Sequence, residues 1–273
     1  MTQMSVLEEN NRGDNRLEAT EGTPPVRPLK TCIVMPAYHA SKTIQATLDR
    51  LQPGSYDDII LVDDASTDNT AEVARNLGLR VHVHDANLGY GGNQKTCYRL
   101  ALETDADVIV MLHPDNQYDG ALIPYMVGFI AAGVVDVVLG SRILRRKDSL
   151  AGGMPSIKYF ANRGLTILEN VVFGFNLAEY HTGFRAFHRR VLEAANLDAC
   201  SNNFIFDQQI IAQARVHDFK VGAVPVPTYY GPESSSISLA SSARYAAQTV
   251  FVLSQYVMFK MGWRSQPLFL RRS

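Results

Sequence analysis

Residues Val108–Tyr118 read VIVMLHPDNQY. Val108–Leu112 is an unbroken apolar run of strand-forming residues. Such a run marks a central strand of a parallel sheet, buried on both faces. It stops at His113, Pro114 and Asp115, because proline cannot continue a hydrogen-bonded ladder. An acidic residue therefore follows the carboxyl end of a buried strand, the edge where open α/β sheets bind ligands. Asp115 and Gln117 are hard oxygen donors two positions apart. Both could face one Mg²⁺ or Mn²⁺ ion that also holds a diphosphate. The plainer reading is a solvated turn carboxylate.

Outward from this strand the pattern repeats. Thr31–Met35 and Asp58–Val62 are further buried strands, ending in Pro36-Ala37-Tyr38 and Asp63-Asp64. Arg80–His84 is a short third strand. The glycine-rich turn 87–93, NLGYGGN, enters a helix reaching about Glu103. A helix over Leu122–Ile130 precedes a strand at Asp136–Leu139 and then Arg142. Strands and helices alternate at intervals of roughly 25 residues, which predicts right-handed parallel βαβ units. Polar residues follow several strand ends, and in a parallel sheet those ends share one edge. In the second half, helices are expected from Pro155 to Gly174 and over Asn203–Arg215. Thr182–Phe187 is expected to lead into a strand, and another strand is expected at Lys220–Val226. Ser241–Trp263 is a long apolar helix interrupted by Arg244, Gln248, Gln255 and Lys260. Those interruptions favour an amphipathic surface helix over a membrane span.

The bulk numbers bound the functions available. With 273 residues the chain can build one large α/β core. A net charge of -1 gives no basic field for nucleic acid. Cys32, Cys97 and Cys200 are too scattered for a metal or redox motif, so reduced thiols in a cytoplasmic setting are expected. Residues 1–28 lack periodicity and a secretory signal and read as a disordered arm. The expected organisation is that arm, a catalytic domain over 29–238, and a helical tail over 239–273.

Several side chains are candidates for chemistry, each with a structural alternative. Asp63 and Asp64 could hold a base or ribose, or cap the next helix. Gly89, Gly91 and Gly92 allow either phosphate approach or close packing. They do not form the dinucleotide-binding fingerprint, which argues against an NAD-dependent oxidoreductase. Arg142 and Arg185 suit diphosphate oxygens, though an arginine at an element end is often simply solvated. His39, His113 and His181 lack metal-ligand spacing and read as structural or supporting residues. Asp207, among Phe204 and Phe206, could be a general base or a charge favoured by a helix N-terminus.

Taken in order, PAY, VDDASTDNT, NLGYGG, HPDNQYD, GSR, TGFRAF and FIFDQQI over about Leu29 to Ser238 resemble the family 2 glycosyltransferases. The branch they resemble is the polyprenyl-phosphate (dolichol-phosphate) mannosyl- and glucosyltransferases. The resemblance implies a GT-A fold, a single mostly parallel sheet with a nucleotide-binding half and an acceptor half. It implies that Pro36, Ala37, Tyr38 and Asp63 hold the nucleotide, with Asp64 beside them. His113-Pro114-Asp115 occupies the place of the family's DxD motif, with Asp115 as the metal-binding carboxylate and Gln117 as second ligand. Arg142 and Arg185 would bind phosphates, and Asp207 matches the acidic position where many members place the base. The loop Glu233–Ser236, with Ser235, would close over the donor. His113 replaces the first Asp of the motif, and His39-Ala40 replaces a frequent Asn-Glu. No clear pair of C-terminal transmembrane helices is present.

The expected activity is inverting transfer of a hexose, mannose or glucose, from a GDP- or UDP-linked donor to a polyprenyl phosphate with Mg²⁺ or Mn²⁺. A sugar hydroxyl acceptor is the alternative, and a catalytically inactive nucleotide-sugar-binding or scaffold protein is the rival from another class. The tail is expected to place the enzyme peripherally on the cytoplasmic face of a membrane, and a homo-oligomer is left open.

Overall fold

The computed structural model describes residues 29–143, 156–227, 239–263 and 266–270. Seven strands form one sheet: β1 (Thr31–Ala37), β2 (Asp58–Asp63), β3 (Arg80–Val83), β4 (Val108–Met111), β5 (Val137–Ser141), β6 (Arg185–His188) and β7 (Val221–Pro225). Their spatial order is β3-β2-β1-β4-β6-β5-β7. The helices are α1 (Ile44–Leu48), α2 (Thr70–Asn76), α3 (Tyr90–Leu102), α4 (Ile123–Ala131), α5 (Ser156–Phe173), α6 (Arg189–Ala194), α7 (Phe206–Val216) and α8 (Leu239–Lys260).

All neighbouring strands are parallel except at β6, which runs antiparallel to both β4 and β5. Register explains why this matters. Met111, at the end of β4, pairs with Arg185, at the start of β6. An antiparallel strand brings its first residue, not its last, to the carboxyl edge of its parallel neighbours. Thr182–Arg185 thus join the edge where β1, β2 and β4 finish.

The apolar runs are buried on both faces as expected. Alternation divides them: Cys32, Val34, Ile60, Val62, Ile109 and Met111 enter one core cluster, with residues of α3, α7 and α8. Ile33, Met35, Ile59, Leu61, Val108 and Val110 enter the other, against α1, α2 and α4. β1 runs two residues past the expected Met35, through Pro36. This is tolerated because β1–β4 pairing ends at Val34–Met111. Strand alternation turns the missing N–H of Pro36 to the side where no rung remains. The three cysteines are free and buried, and burial pushes the Cys32 and Cys200 thiols up to about 12, so they are inert.

Candidate active site

A cavity of about 700 Å³ opens at the carboxyl ends of β1, β2 and β4. Its wall includes Pro36, Ala37 and Tyr38, then Asp64, then His113, Pro114 and Asp115. The first residues beyond these strands are conformationally unusual. His39, Ala65 and Asn116 adopt positive φ values of 52, 59 and 56°. Each lies shortly after the end of one of the three strands. Non-glycine residues in this region are strained, and such strain collects at binding sites. His39 is held there by Ser66 Oγ on its backbone N–H (2.9 Å) and by Thr67, whose N–H donates to Nε2 (3.2 Å). Its ring stacks on Tyr38 at 4.1 Å, and Tyr38 remains 54% exposed at the cavity wall. An exposed, braced aromatic face suits a planar base.

The paired aspartates differ. Asp63 is buried and accepts from Ser66 Oγ. Asp64 accepts from the backbone N–H groups of Leu88 (2.8 Å) and Gly89 (3.0 Å), and His84 Nδ1 lies 2.7 Å away. Asp64 therefore tethers the glycine-rich turn to the end of β2. The turn itself serves close packing. Gly91 N–H donates to the Asn202 carbonyl (2.8 Å), and a Cβ on Gly91 would overlap the Ser201 carbonyl and Phe206. This leading amide of α3 is thus spent on the 201–202 loop rather than on a phosphate. Lys95 strengthens the same junction through Asn202 Oδ1 (2.8 Å) and the Cys200 carbonyl.

The His113 ring is packed by two neighbours. Tyr90 stacks on it at 5.5 Å and 11°. A Cβ on Gly183 would come within 2.6 Å of His113 Cδ2, so only glycine fits there while the ring keeps its place. Burial lowers the His113 pKa, and the Asp115 charge partly offsets this. Burial raises the Asp115 carboxyl, opposed by His113 and by the Gln117 N–H that donates to Oδ1 (3.1 Å). Gln117 is only 6% exposed and is not among the cavity-lining residues. The described residues contain no group of three His, Cys, Asp or Glu able to hold an ion. One cavity-facing carboxylate fits Mg²⁺ or Mn²⁺ where a diphosphate and waters complete the shell, because these ions keep several waters and bind through one or two carboxylates.

Neither Arg142 nor Arg185 lines the cavity. Arg142 Nε donates to Glu179 Oε1 (3.0 Å), its backbone N–H to Oε2 (2.7 Å), and Nη2 reaches Glu179 and the His181 carbonyl. Arg185 is 1% exposed and donates to the carbonyls of Thr182 (2.7 Å), Asp207 (3.0 Å) and Tyr180 (3.1 Å). Nη2 also lies 3.4 Å from Asp207 Oδ2. These contacts make both guanidiniums part of the chain's own framework. Asp207 further accepts from Tyr90 Oη (2.8 Å) and Gln94 Nε2 (3.2 Å), and it does not line the cavity.

Sequence reasoning passed over Tyr90, Gln94, Glu169 and Glu179. Tyr90 had a signal, a bulky aromatic within a glycine turn. Glu169 had one too, a carboxylate among the apolar positions of α5; it is fully buried, with His181 Nε2 3.1 Å away. Ser235, the loop Glu233–Ser236, the arm 1–28 and the basic residues Arg264, Arg271 and Arg272 lie outside the described residues.

Comparison with known proteins follows the same lines. The chain is 27% identical to a UDP-N-acetylglucosamine–dolichyl-phosphate N-acetylglucosaminyltransferase of Methanococcus voltae, over 72% of this chain and 85% of that one. It is 27% identical to an undecaprenyl-phosphate mannosyltransferase of Micrococcus luteus, over 63% and 71%. In fold it is similar to glucosyl-3-phosphoglycerate synthase of Mycobacterium tuberculosis, crystallised with Mn²⁺, UDP-glucose and phosphoglyceric acid. The TM-score is 0.64 and the identity 18%, covering 84% of this chain and 79% of that one. The sheet with its flanking helices is thus a GT-A fold. Residues 32–195 match the model of glycosyl transferase family 2. The chain belongs to that family and is a glycosyltransferase.

Proposed function

We propose that this enzyme transfers a hexose from a nucleoside-diphosphate sugar to a polyprenyl phosphate, with inversion. The observation carrying the proposal is the cavity itself, which gathers Pro36–Tyr38, Asp64 and His113–Asp115 at one sheet edge. Relatives named for dolichyl and undecaprenyl phosphate support the acceptor class. Tyr38 would carry the base and Asp64 would shape the ribose wall, with Asp63 beside it holding Ser66. Asp115 would hold the divalent metal at the diphosphate; a bound Mg²⁺ or Mn²⁺ supplies charge stabilisation for the leaving group. An acceptor phosphate oxygen would form its bond to the anomeric carbon from the opposite face. The carbon–oxygen bond to the diphosphate breaks as it does so, and its electron pair leaves with the nucleoside diphosphate. A phosphate acceptor is already an anion at neutral pH and needs no base, so Asp207, set behind Tyr90, would act through that residue. A sugar hydroxyl would instead need Asp207 as base.

The reading extends to the C-terminal helix. Val252, Leu253 and Tyr256 on α8 are buried in the core, while Val250, Phe251, Val257, Met261 and Trp263 are exposed. Among the described residues no helix is long and apolar enough to cross a membrane. An exposed apolar face ending in tryptophan suits the headgroup interface of a cytoplasmic leaflet. The tail over 239–273 would thus be part of the domain on one side and a membrane contact on the other.

The test is a thermal-shift screen of UDP-glucose and GDP-mannose with MnCl₂, followed by transfer to a polyprenyl phosphate in detergent. A raised midpoint and a lipid-linked sugar are expected. Donor binding combined with a preference for a soluble hydroxyl acceptor overturns the lipid-phosphate reading. Phe251→Glu should reduce co-sedimentation with anionic liposomes; unchanged sedimentation overturns the membrane contact.

A further inference from the structure

Tyr90 lines the cavity, and Asp207 does not. The two are joined by the Tyr90 hydroxyl, which donates to Asp207 Oδ2 at 2.8 Å. The other contacts of the Asp207 carboxylate come from inside the chain, Gln94 on Oδ1 and Arg185 near Oδ2. Of these three partners only Tyr90 touches the cavity. The same phenol oxygen lies 3.4 Å from His113 Nε2, and the His113 ring also lines the cavity. A phenol has a single proton, and here it goes to Asp207, so toward His113 the oxygen can only accept. That requires the Nε2–H tautomer. The chain then runs His113 Nε2–H to Tyr90 Oη–H to Asp207 Oδ2. A carboxylate at 113, the residue of the family motif, could not donate into it.

We infer that Tyr90 is a positioning residue of the transfer reaction, holding His113 on the donor side and Asp207 on the inner side as one hydrogen-bonded unit. The inference rests on the glycosyl-transfer reading above. Packing places the phenol. Its ring stacks on His113 and meets the Phe204 ring at 4.6 Å and 38°, and Gly89 and Gly91 on either side of it in sequence are wedged against Ser201 and Asn202. Burial, with Asp207 beside it, raises the Tyr90 phenol well above its ordinary value. It therefore remains a neutral donor across the working pH range. The hydroxyl transfers no proton in the net reaction; it orients Asp207 and steadies the imidazole above the diphosphate region. Its loss should appear in turnover rather than in donor affinity.

The experiment compares wild type, Tyr90→Phe, Asp207→Asn and the double variant as full-length proteins. Binding of UDP-glucose and GDP-mannose with MnCl₂ is measured by calorimetry. Turnover is measured as nucleoside diphosphate release with and without a polyprenyl phosphate. Phenylalanine keeps the ring contacts with His113 and Phe204. Donor KM should stay within about twofold while kcat falls about 10- to 100-fold, the range for losing a hydrogen bond to a charged group. In the Asp207→Asn background the same change should cost about twofold or less, because coupled residues are not additive. Gly183→Ala drives the imidazole from its seat with the phenol intact and should also lower kcat. Wild-type kcat in both Tyr90→Phe and Gly183→Ala overturns the inference, as does an equal loss from Tyr90→Phe in both backgrounds. If wild type binds neither donor, the glycosyl-transfer reading fails and takes the inference with it. If it binds a donor and Tyr90→Phe turns over normally, only the inference fails.

Discussion

The two halves of the sheet use their charged residues differently. On the side of β1, β2 and β4, strand ends deliver Tyr38, Asp64 and Asp115 to an open cavity. On the side of β5 and β6, Arg142 and Arg185 are bound to Glu179, Asp207 and backbone carbonyls. The first half sets polar groups along a cavity wall; the second ties its guanidiniums to carboxylates and carbonyls of its own chain. Asp115 can therefore be removed at the expense of chemistry alone, whereas Asp64 also holds the Leu88 and Gly89 amides. A buried guanidinium cannot be removed without leaving its partner unsatisfied.

The largest effect should come from breaking that second arrangement. Arg185→Met leaves Asp207 and three carbonyls without their donor, and we expect a loss of about 3–5 kcal/mol in urea unfolding. Retained stability with a selective loss of donor use would assign the guanidinium to phosphate instead. Asp115→Asn is the counterpart in the first half. Metal-dependent turnover should fall about 10²- to 10³-fold. Stability should not fall, since burial already disfavours the charged carboxyl. Full turnover in Mn²⁺ with this variant would remove Asp115 from the site.

Gly91→Ala probes the junction between the halves. A Cβ there collides with the 201–202 backbone, and overpacking of this kind costs about 1–3 kcal/mol. Turnover should fall with stability, because the turn carries Tyr90; a variant of unchanged midpoint and activity would mean the halves are not joined there. Glu169→Gln should have the smallest effect. Burial raises the Glu169 carboxyl above its ordinary value of 4.5, opposed by His181. The folded chain thus holds that proton to higher pH than the unfolded chain. The carboxylate then costs stability as pH rises through its raised pKa. The variant should gain in melting midpoint more at about pH 8 than at about pH 5. A midpoint lowered at the higher pH would make Glu169–His181 a net stabilising ion pair.

Local pattern carried much of this protein. Apolar runs such as Thr31–Met35 and Val108–Leu112 identify buried strands because a parallel strand covered on both faces has no polar position. Pro114 lies just past the end of β4 and Pro36 where β1 has left its pairing with β4, so the polar residues of the cavity edge were legible one after another. The resemblance of the motifs in order led to the family. What the sequence could not decide was pairing between distant residues. Whether Gly91 approached a phosphate or Asn202 depended on a loop more than a hundred positions away. Whether Arg142 faced solvent or Glu179 depended on α5 and the segment after it. That β6 would run antiparallel, bringing Arg185 to the edge by its first residue, is set by strand order alone. Burial and partnership are properties of the assembled sheet. They determine whether a charged side chain meets substrate or another part of its own chain.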